Sequence, residues 1–461
     1  MAIKLWERVK NFMRQILIPA STIYKSFDAD PPITDQQERA LTLWYELYTG
    51  SPPWAGDEVK PLGLPSAIAK EFAQVVSSEM AVTLDGGPRA DYLSEQVERN
   101  LPGLQARLPL GIALGGLAIK PYVSGGRIFL DATGATGFTP LRFDDGGICV
   151  SGVFRSQPVK VDRAYYIRLE YHDLTENVYT IKNKAFRSDA HGLCGTEVTL
   201  YTVPNWAHIQ PDVEIQHVER PLFGYFTAGS SPDFSGLGAS VYAGETVELI
   251  RQADEQWERF LYEFQSAERK IIATAEAVSG PVPGGGPNPL ERDRLYVAMP
   301  YDSDEFFKEF SPALRNMGFY EGLQAILRRI EFNVGLAYGD LSDPSTVEKT
   351  ATEVLSAKTR KYNTVRAMEK SLAAALENAV YGMDVYATLY GLAPRGEYTL
   401  YVDFEDSILT DADAQRERDR QDVRDGFMQK WEYRVKWYHE DEETAKAMCP
   451  PTADTGPGFG F

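Results

Sequence analysis

The longest helical pattern in the chain, residues 350–389, sets the scale of the fold. Thr350-Ala351-Thr352-Glu353 fits a capping box, a hydroxyl acceptor for the N3 amide with a carboxylate reaching back to the cap amide. From Val354 the apolar residues Tyr362, Val365, Leu372, Leu376, Ala379, Met383 and Tyr386 recur at helical spacing to about Leu389. At 1.5 Å per residue such a helix is roughly 60 Å long. That exceeds the width of a small domain, so the helix must span several layers of one protein or link domains.

Upstream, Trp6, Val9, Met13 and Ile16 mark a short amphipathic helix expected to pack on the body. Residues 34–50 read as a helix with Leu41, Trp44 and Leu47 on one side and Gly50 as its stop. A Pro-rich turn follows at 51–54. Residues 66–80 and 91–113 look helical, the second interrupted at Pro102. Residues 117–202 are short β-branched and aromatic runs separated by Gly, Asp or Asn turns, which predicts an antiparallel meander that includes EVTLYTV as a strand. After Pro221 the spacing of Val247, Ile250, Ala253, Trp257, Phe260 and Phe264 predicts a helix with one narrow apolar seam. SGPVPGGGPNP at 279–289 predicts an exposed loop. A second helix carries Leu323, Ile326, Leu327, Ile330 and Val334 and gives way to the polar stretch YGDLSDPSTVEK. Residues 397–406 read as a strand, 411–448 as a charged helical stretch, and the Pro/Gly-rich end as disordered. The class is α+β, and no 20–50 residue repeat suggests a solenoid.

Chemistry is harder to find. The formal net charge is −19, from 47 Lys plus Arg against 66 Asp plus Glu, which excludes an ordinary basic nucleic-acid binder. Cys149, Cys194 and Cys449 are odd in number, far apart and without a CxxC pair, so they read as reduced thiols in a cytosol-like compartment. Nowhere do 18 consecutive apolar residues occur, which predicts no membrane span. Gly111 and Gly116 have P-loop separation, but Leu117 and Ala118 stand where Lys and Ser/Thr are required, so a sharp helix-to-strand turn is expected instead. The five histidines form no HExxH or HxH pair, and His191 with Cys194 makes only half a zinc site. Gly238-Ala239-Ser240-Val241-Tyr242 fails the nucleophile elbow at its last position. No catalytic residue, metal or cofactor is therefore expected. Architecture is what distinguishes the chain: two narrow-seam helices flank a loop-rich insertion, and a polar loop leads to one very long helix. Such helices bury too little alone, and copies arranged in a ring would supply the missing burial.

At these residues the sequence resembles the portal proteins of tailed bacteriophages, siphophage type. The most specific stretch is GLAYGDLSDPSTVEKTATEVLSAKTRKYNTV at 335–365. Residues 110–147, ERPLFGYF at 219–226, and 238–264 support it in co-linear order. The resemblance implies a homo-oligomeric ring, usually of twelve subunits, at one capsid vertex of the virion, assembled in the host cytoplasm. Through it the terminase large subunit drives double-stranded DNA, without sequence specificity, and DNA later leaves. Further implied partners are a head-completion or connector protein and the major capsid and scaffolding proteins; no membrane, enzyme activity or cofactor is implied.

Carried onto this chain, the resemblance implies a portal fold with an α/β wing at 1–240, a first stem helix at 241–269 and a small α/β clip at 270–311. It continues with a second stem helix at 312–337, a tunnel loop at 338–349, a spine helix returning to the wing at 350–405, and a crown with a flexible tail at 406–461. The tunnel loop would present Tyr338, Gly339, Asp340, Leu341, Ser342, Asp343 and Pro344 to the DNA channel. Its two acids point to steric contact with DNA rather than salt bridges. The clip would meet its partners through Pro281, Pro283, Asn288, Arg292 and Arg294. For Arg315, Arg328 and Arg329 two readings stand: they line the channel, or they pair between subunits with the acidic first stem helix, Glu248, Glu255 and Glu258 among its residues. A predominantly negative wall repels phosphates over about 8 Å at physiological salt, which suits a conduit that must not grip its cargo. The competing readings are a structural protein of another capsid or tail-connector position, and a carboxylate-dependent hydrolase.

Overall fold

The computed structural model describes residues 17–57, 59–78, 80–229, 236–274, 278, 296–299, 307–344, 351–404, 412–438 and 440–449. The chain divides into two compact units, Met1–Asp403 and Phe404–Phe461. It is a mixed α+β protein. The amphipathic segment at the N-terminus up to residue 16, the 279–289 loop, the Thr350 end of the capping box and the C-terminal tail lie outside the described residues.

The first unit begins with α1 (Ala20–Phe27), α2 (Asp35–Tyr48) and α3 (Leu64–Ser78). A capping box starts α2: Gln37 N–H donates to Thr34 Oγ1, and Thr34 N–H donates to Gln37 Oε1 at 2.8 Å. A strand not expected from the sequence follows, β1 (Met80–Gly86), then α4 (Pro88–Leu114). Contrary to expectation, α4 runs unbroken through Pro102 and Pro109. An internal proline costs a helix about 3 kcal/mol. Burial of Leu93, Val97, Leu104, Leu108 and Ile112 on one face of α4, each about 1.5–3 kcal/mol, outweighs it. The GIALGG stretch is the expected turn: Gly115 caps α4 at φ 88°, where a Cβ would also lie 2.6 Å from the Gly238 carbonyl oxygen.

Next come β2 (Gly116–Ser124), β3 (Arg127–Gly134), β4 (Phe138–Phe143), β5 (Cys149–Arg155), β6 (Val159–Val161), β7 (Ala164–Thr175), β8 (Val178–Ser188), β9 (Thr196–Val198), β10 (Asp212–Gln216) and β11 (Gly224–Thr227). They are antiparallel as expected but form two sheets, one ordered β10-β8-β7-β5-β4 with β6 and β9 flanking, the other β11-β2-β3. The expected EVTLYTV strand keeps only its first half, because Leu200–Thr202 turns into a 3₁₀ helix with Leu200 buried. Between the sheets and the long helix lies a buried polar network. Glu170 accepts from Lys120 Nζ at 2.7 Å and faces Arg168 at 3.0 Å and His172 Nε2 at 2.9 Å. An ionised carboxylate only accepts, so His172 carries its proton on Nε2, and Nδ1 receives the Tyr179 hydroxyl at 2.8 Å.

A helical hairpin follows: α5 (Thr246–Ser266), a small sheet of β12 (Lys270–Thr274), β13 (Tyr296–Met299) and β14 (Phe307–Phe310), then α6 (Asn316–Val334). Gln256 Nε2 donates to the Phe319 carbonyl and Arg315 pairs with Glu263, which places the helices side by side in opposite directions. Ile250, Ala253, Leu323, Leu327 and Ile330 are buried along it. Asp254 ties α5 to the N-terminal region by accepting from Trp54 Nε1 and Leu62 N–H; burial raises its pKa and those two bonds oppose the shift.

The long helix is α7 (Ala351–Leu389). Val365, Met368, Leu372, Ala375, Leu376, Ala379, Val380, Met383 and Ala387 are almost wholly buried, so it is the rod around which both sheets and α4 pack. Gly224 is what lets β11 reach it: a Cβ there would sit 1.8 Å from the Ala375 carbonyl oxygen. β15 (Tyr398–Phe404) pairs with β1. The second unit holds α8 (Ala412–Asp425), α9 (Lys430–Tyr438) and α10 (Glu442–Ala447). Its expected single charged stretch is cut at Gly426, φ 80°, and by the Asp441 N-cap of α10. Among the described residues no helix is long and apolar enough to cross a membrane.

Candidate functional site

The polar stretch after α6 folds back onto the helix that precedes it. Gly335 ends α6 in the left-handed region and turns the chain, its N–H bonded to the Glu331 carbonyl. The Glu331 side chain is fully buried. Its Oε1 accepts from the backbone N–H groups of Gly339 at 3.0 Å, Leu341 at 2.6 Å and Ser342 at 2.7 Å, and its Oε2 from Ser342 Oγ at 2.9 Å. Four donors compensate a carboxylate that burial would otherwise penalise. About two helix turns earlier on α6, Gln324 Oε1 accepts from Asp343 N–H at 2.7 Å. The loop is thus moulded around two side chains of α6.

Both loop acids are engaged inside the chain. Asp340 Oδ2 accepts from Ala337 N–H and meets Lys361 Nζ of α7 at 3.0 Å, and the same ammonium meets Glu71 of α3 at 2.9 Å. Burial works to lower the Lys361 pKa, but the two carboxylates outweigh it and hold the pKa above the ordinary lysine value. Asp343 Oδ2 accepts the Tyr320 hydroxyl at 2.8 Å, which raises the Tyr320 pKa. Ser342 is buried, Tyr338, Gly339 and Leu341 are half-buried, and Pro344 is exposed.

Among the described residues, arginines of α6 and α7 lie beside the loop. Arg360 of α7 lies 4.3 Å from the Phe332 ring centre and 5.6 Å from that of Tyr338, and Arg329 lies 5.2 Å from Phe332. Arg328 is half-buried near Tyr320. Arg315 is remote from this group, at the far end of the hairpin. It forms a two-pronged pair with Glu263 of its own chain, Nη2 to Oε2 at 2.9 Å and Nε to Oε1 at 3.2 Å, so the carboxylate it takes on the acidic helix is intramolecular. That bond lowers the Glu263 pKa and raises that of Arg315. Glu248 and Glu255 lie near arginines of their own helix: Arg251 is 3.9 Å from Glu248 and 2.9 Å from Glu255, and Arg259 is 3.7 Å from Glu255. Glu258 is half-buried. Pro281, Pro283, Asn288, Arg292 and Arg294 lie outside the described residues.

Sequence reasoning missed Glu331, Lys361, Arg360 and Phe332. Glu331 had a signal: it stands four residues after Leu327 and three before Val334, a charge on the apolar stripe of its helix. A charge at such a position needs dedicated donors. Among the described residues no group of three or more His, Cys, Asp or Glu side chains is placed to hold a metal ion. No protein-family model matches the chain, and no curated protein matches it.

Proposed function

We propose that this chain is a non-enzymatic subunit of a phage portal: a ring, of about twelve copies in such assemblies, that forms the channel for terminase-driven DNA packaging and for DNA exit and the platform for head-to-tail joining. The observation that carries the reading is the helical hairpin. Its two helices bury a seam against each other yet leave Leu261, Tyr262 and Phe264 on α5 and Met317 and Phe332 on α6 between 40% and 61% exposed. Large apolar side chains on both members of one hairpin are surface that another copy of the same chain can cover. The loop at its end and the long helix through the body follow the order that the resemblance implies.

Mass photometry and electron micrographs of the purified chain test it. Rings with an axial channel are expected. A stable monomer at every salt and protein concentration overturns the proposal, and a lattice without a channel assigns the chain to another capsid or tail position.

A further inference from the structure

We propose that the apolar cleft between α2, β4 and residues 237–244 is the seat of this chain's own residues 1–16, which bind it as an amphipathic helix. A space of about 380 Å³ lies there, with Leu17, Ile18, Leu41, Trp44, Phe138 and Leu237 in its lining. A cavity of about 150 Å³ admits a benzene ring, so this one has room for two large side chains. Above it α2 is left without a layer. Of its 14 residues only Thr42 and Leu47 are buried, while Leu41 and Trp44, on the face that the sequence marks as apolar, stay half-buried over the cleft. A helix in a protein draws most of its stability from the apolar face it packs.

Connection, pattern and charge choose the occupant. Ile18 is held in the core with Ile23 and Phe27 against Val153 and Ile167, and both it and Leu17 line the cleft. Residue 16 therefore adjoins the cleft wall, and no length of chain is needed to reach it. As a helix, 1–16 would be about 24 Å long, and Trp6, Val9, Met13 and Ile16 give it the apolar stripe that the cleft lacks. The segment also carries Lys4, Arg8, Lys10 and Arg14 against the one acid Glu7, in a chain of net charge −19. On the cleft, Glu38 is half-buried; burial and Asp35 both raise its pKa, and no cation opposes them among the described residues. A basic segment supplies that cation. The same segment of a second copy is the competing occupant, but its binding costs the freedom of a whole molecule, whereas a segment joined at Leu17 is already local.

The seat is independent of the ring proposal, because it is read within one chain in whatever assembly forms. Lys10 borders the stripe, and Gln36 is exposed on the rim of the cleft. The full-length Lys10→Cys/Gln36→Cys variant, treated with a short bifunctional maleimide, is expected to give a 10–36 cross-link at the mass of one chain, identified by peptide mass spectrometry. A 10–36 link found only between two chains overturns the proposal in favour of a second copy's segment, and no such link overturns it outright. A second measurement reads α2 itself. Trp6→Asp/Met13→Asp in the full-length chain is expected to accelerate amide exchange across Leu41–Leu47 by about tenfold, while β7 and β8 keep their rates. Unchanged exchange in α2 overturns the proposal; if the substitutions unfold the chain, the cross-link decides. Rings without the link sink this seat alone, and the link within one chain without rings sinks the portal alone.

Discussion

Two buried carboxylates show what single residues contribute. Glu170 is held well below the ordinary carboxylate range: burial pushes it up, but Lys120, His172 and Arg168 overwhelm burial. His172, enclosed beside it, is pushed down chiefly by burial. Both shifts have the same sign for stability. The unfolded chain takes up a proton at His172 below about pH 6.5 and at Glu170 below about pH 4.5 while the folded chain resists, so stability present above those values is lost as the pH falls. Urea titrations are expected to show a midpoint that falls from pH 7 to 5, with a smaller fall in His172→Phe. Glu170→Gln strands the buried Lys120 ammonium and should cost about 3–5 kcal/mol, read from the same titrations at pH 7. Glu331→Ala removes four hydrogen bonds at once. Amide exchange at Gly339, Leu341 and Ser342 is expected to accelerate by at least about tenfold, since each bond to a charged acceptor contributes about 1.5–3 kcal/mol. None of these networks was legible in sequence. Glu170 sits at an ordinary strand position and its partners come from Lys120 and two neighbours on the same strand, and Glu331 depends on backbone amides, which every residue owns.

Elements were easier to read than their partners. The long helix, the hairpin helices and α2 declared themselves because periodicity and caps are local properties. Pro102 misled for the same reason: a proline argues locally against a helix, and the packing that overrules it comes from residues far away in sequence. β1 escaped because seven residues carry little pattern, and its partner β15 lies more than 300 positions on. The seat of β11 on α7 is likewise a long-range matter, since β11 approaches that helix closely only through Gly224. Gly224→Ala forces a methyl into the Ala375 carbonyl and is expected to lower the melting temperature sharply, whereas Gly125→Ala, at a turn with open space around it, costs only about 1 kcal/mol of backbone strain. In the hairpin, Leu327→Ala should cost about 2–5 kcal/mol. Differential scanning calorimetry resolves all three.

At the scale of the whole molecule the exposed apolar face of the hairpin separates folding from assembly. Replacing Leu261 and Tyr262 together by Glu removes apolar surface that the single chain does not use. The melting temperature of the isolated chain should stay within about 2 °C, as substitutions away from buried contacts shift stability by only about 0.5 kcal/mol. Ring formation should fail, as mass photometry would show; persistent rings would move the subunit contact elsewhere. The acidic composition also acquires a more exact meaning. Asp340 and Asp343 of the loop are bonded to Lys361 and Tyr320 of the chain's own framework, and among the described residues Arg360 lies beside Tyr338. Deleting the loop is a poor probe of its role, because it would leave Glu331 buried without donors.

Lys361 answers to two carboxylates where one would neutralise it. If Asp340 moves away, the ammonium still has Glu71, and nothing buried is left bare. Glu331 has no such reserve: among the described residues its side chain's partners are the amides of Gly339, Leu341 and Ser342 and the Ser342 hydroxyl, all of them in the loop. The loop is therefore moored unequally, by an ion pair with a spare partner on one side and by amides gathered on Glu331 and Gln324 on the other, and a force pulling on it would fall chiefly on those two side chains of α6.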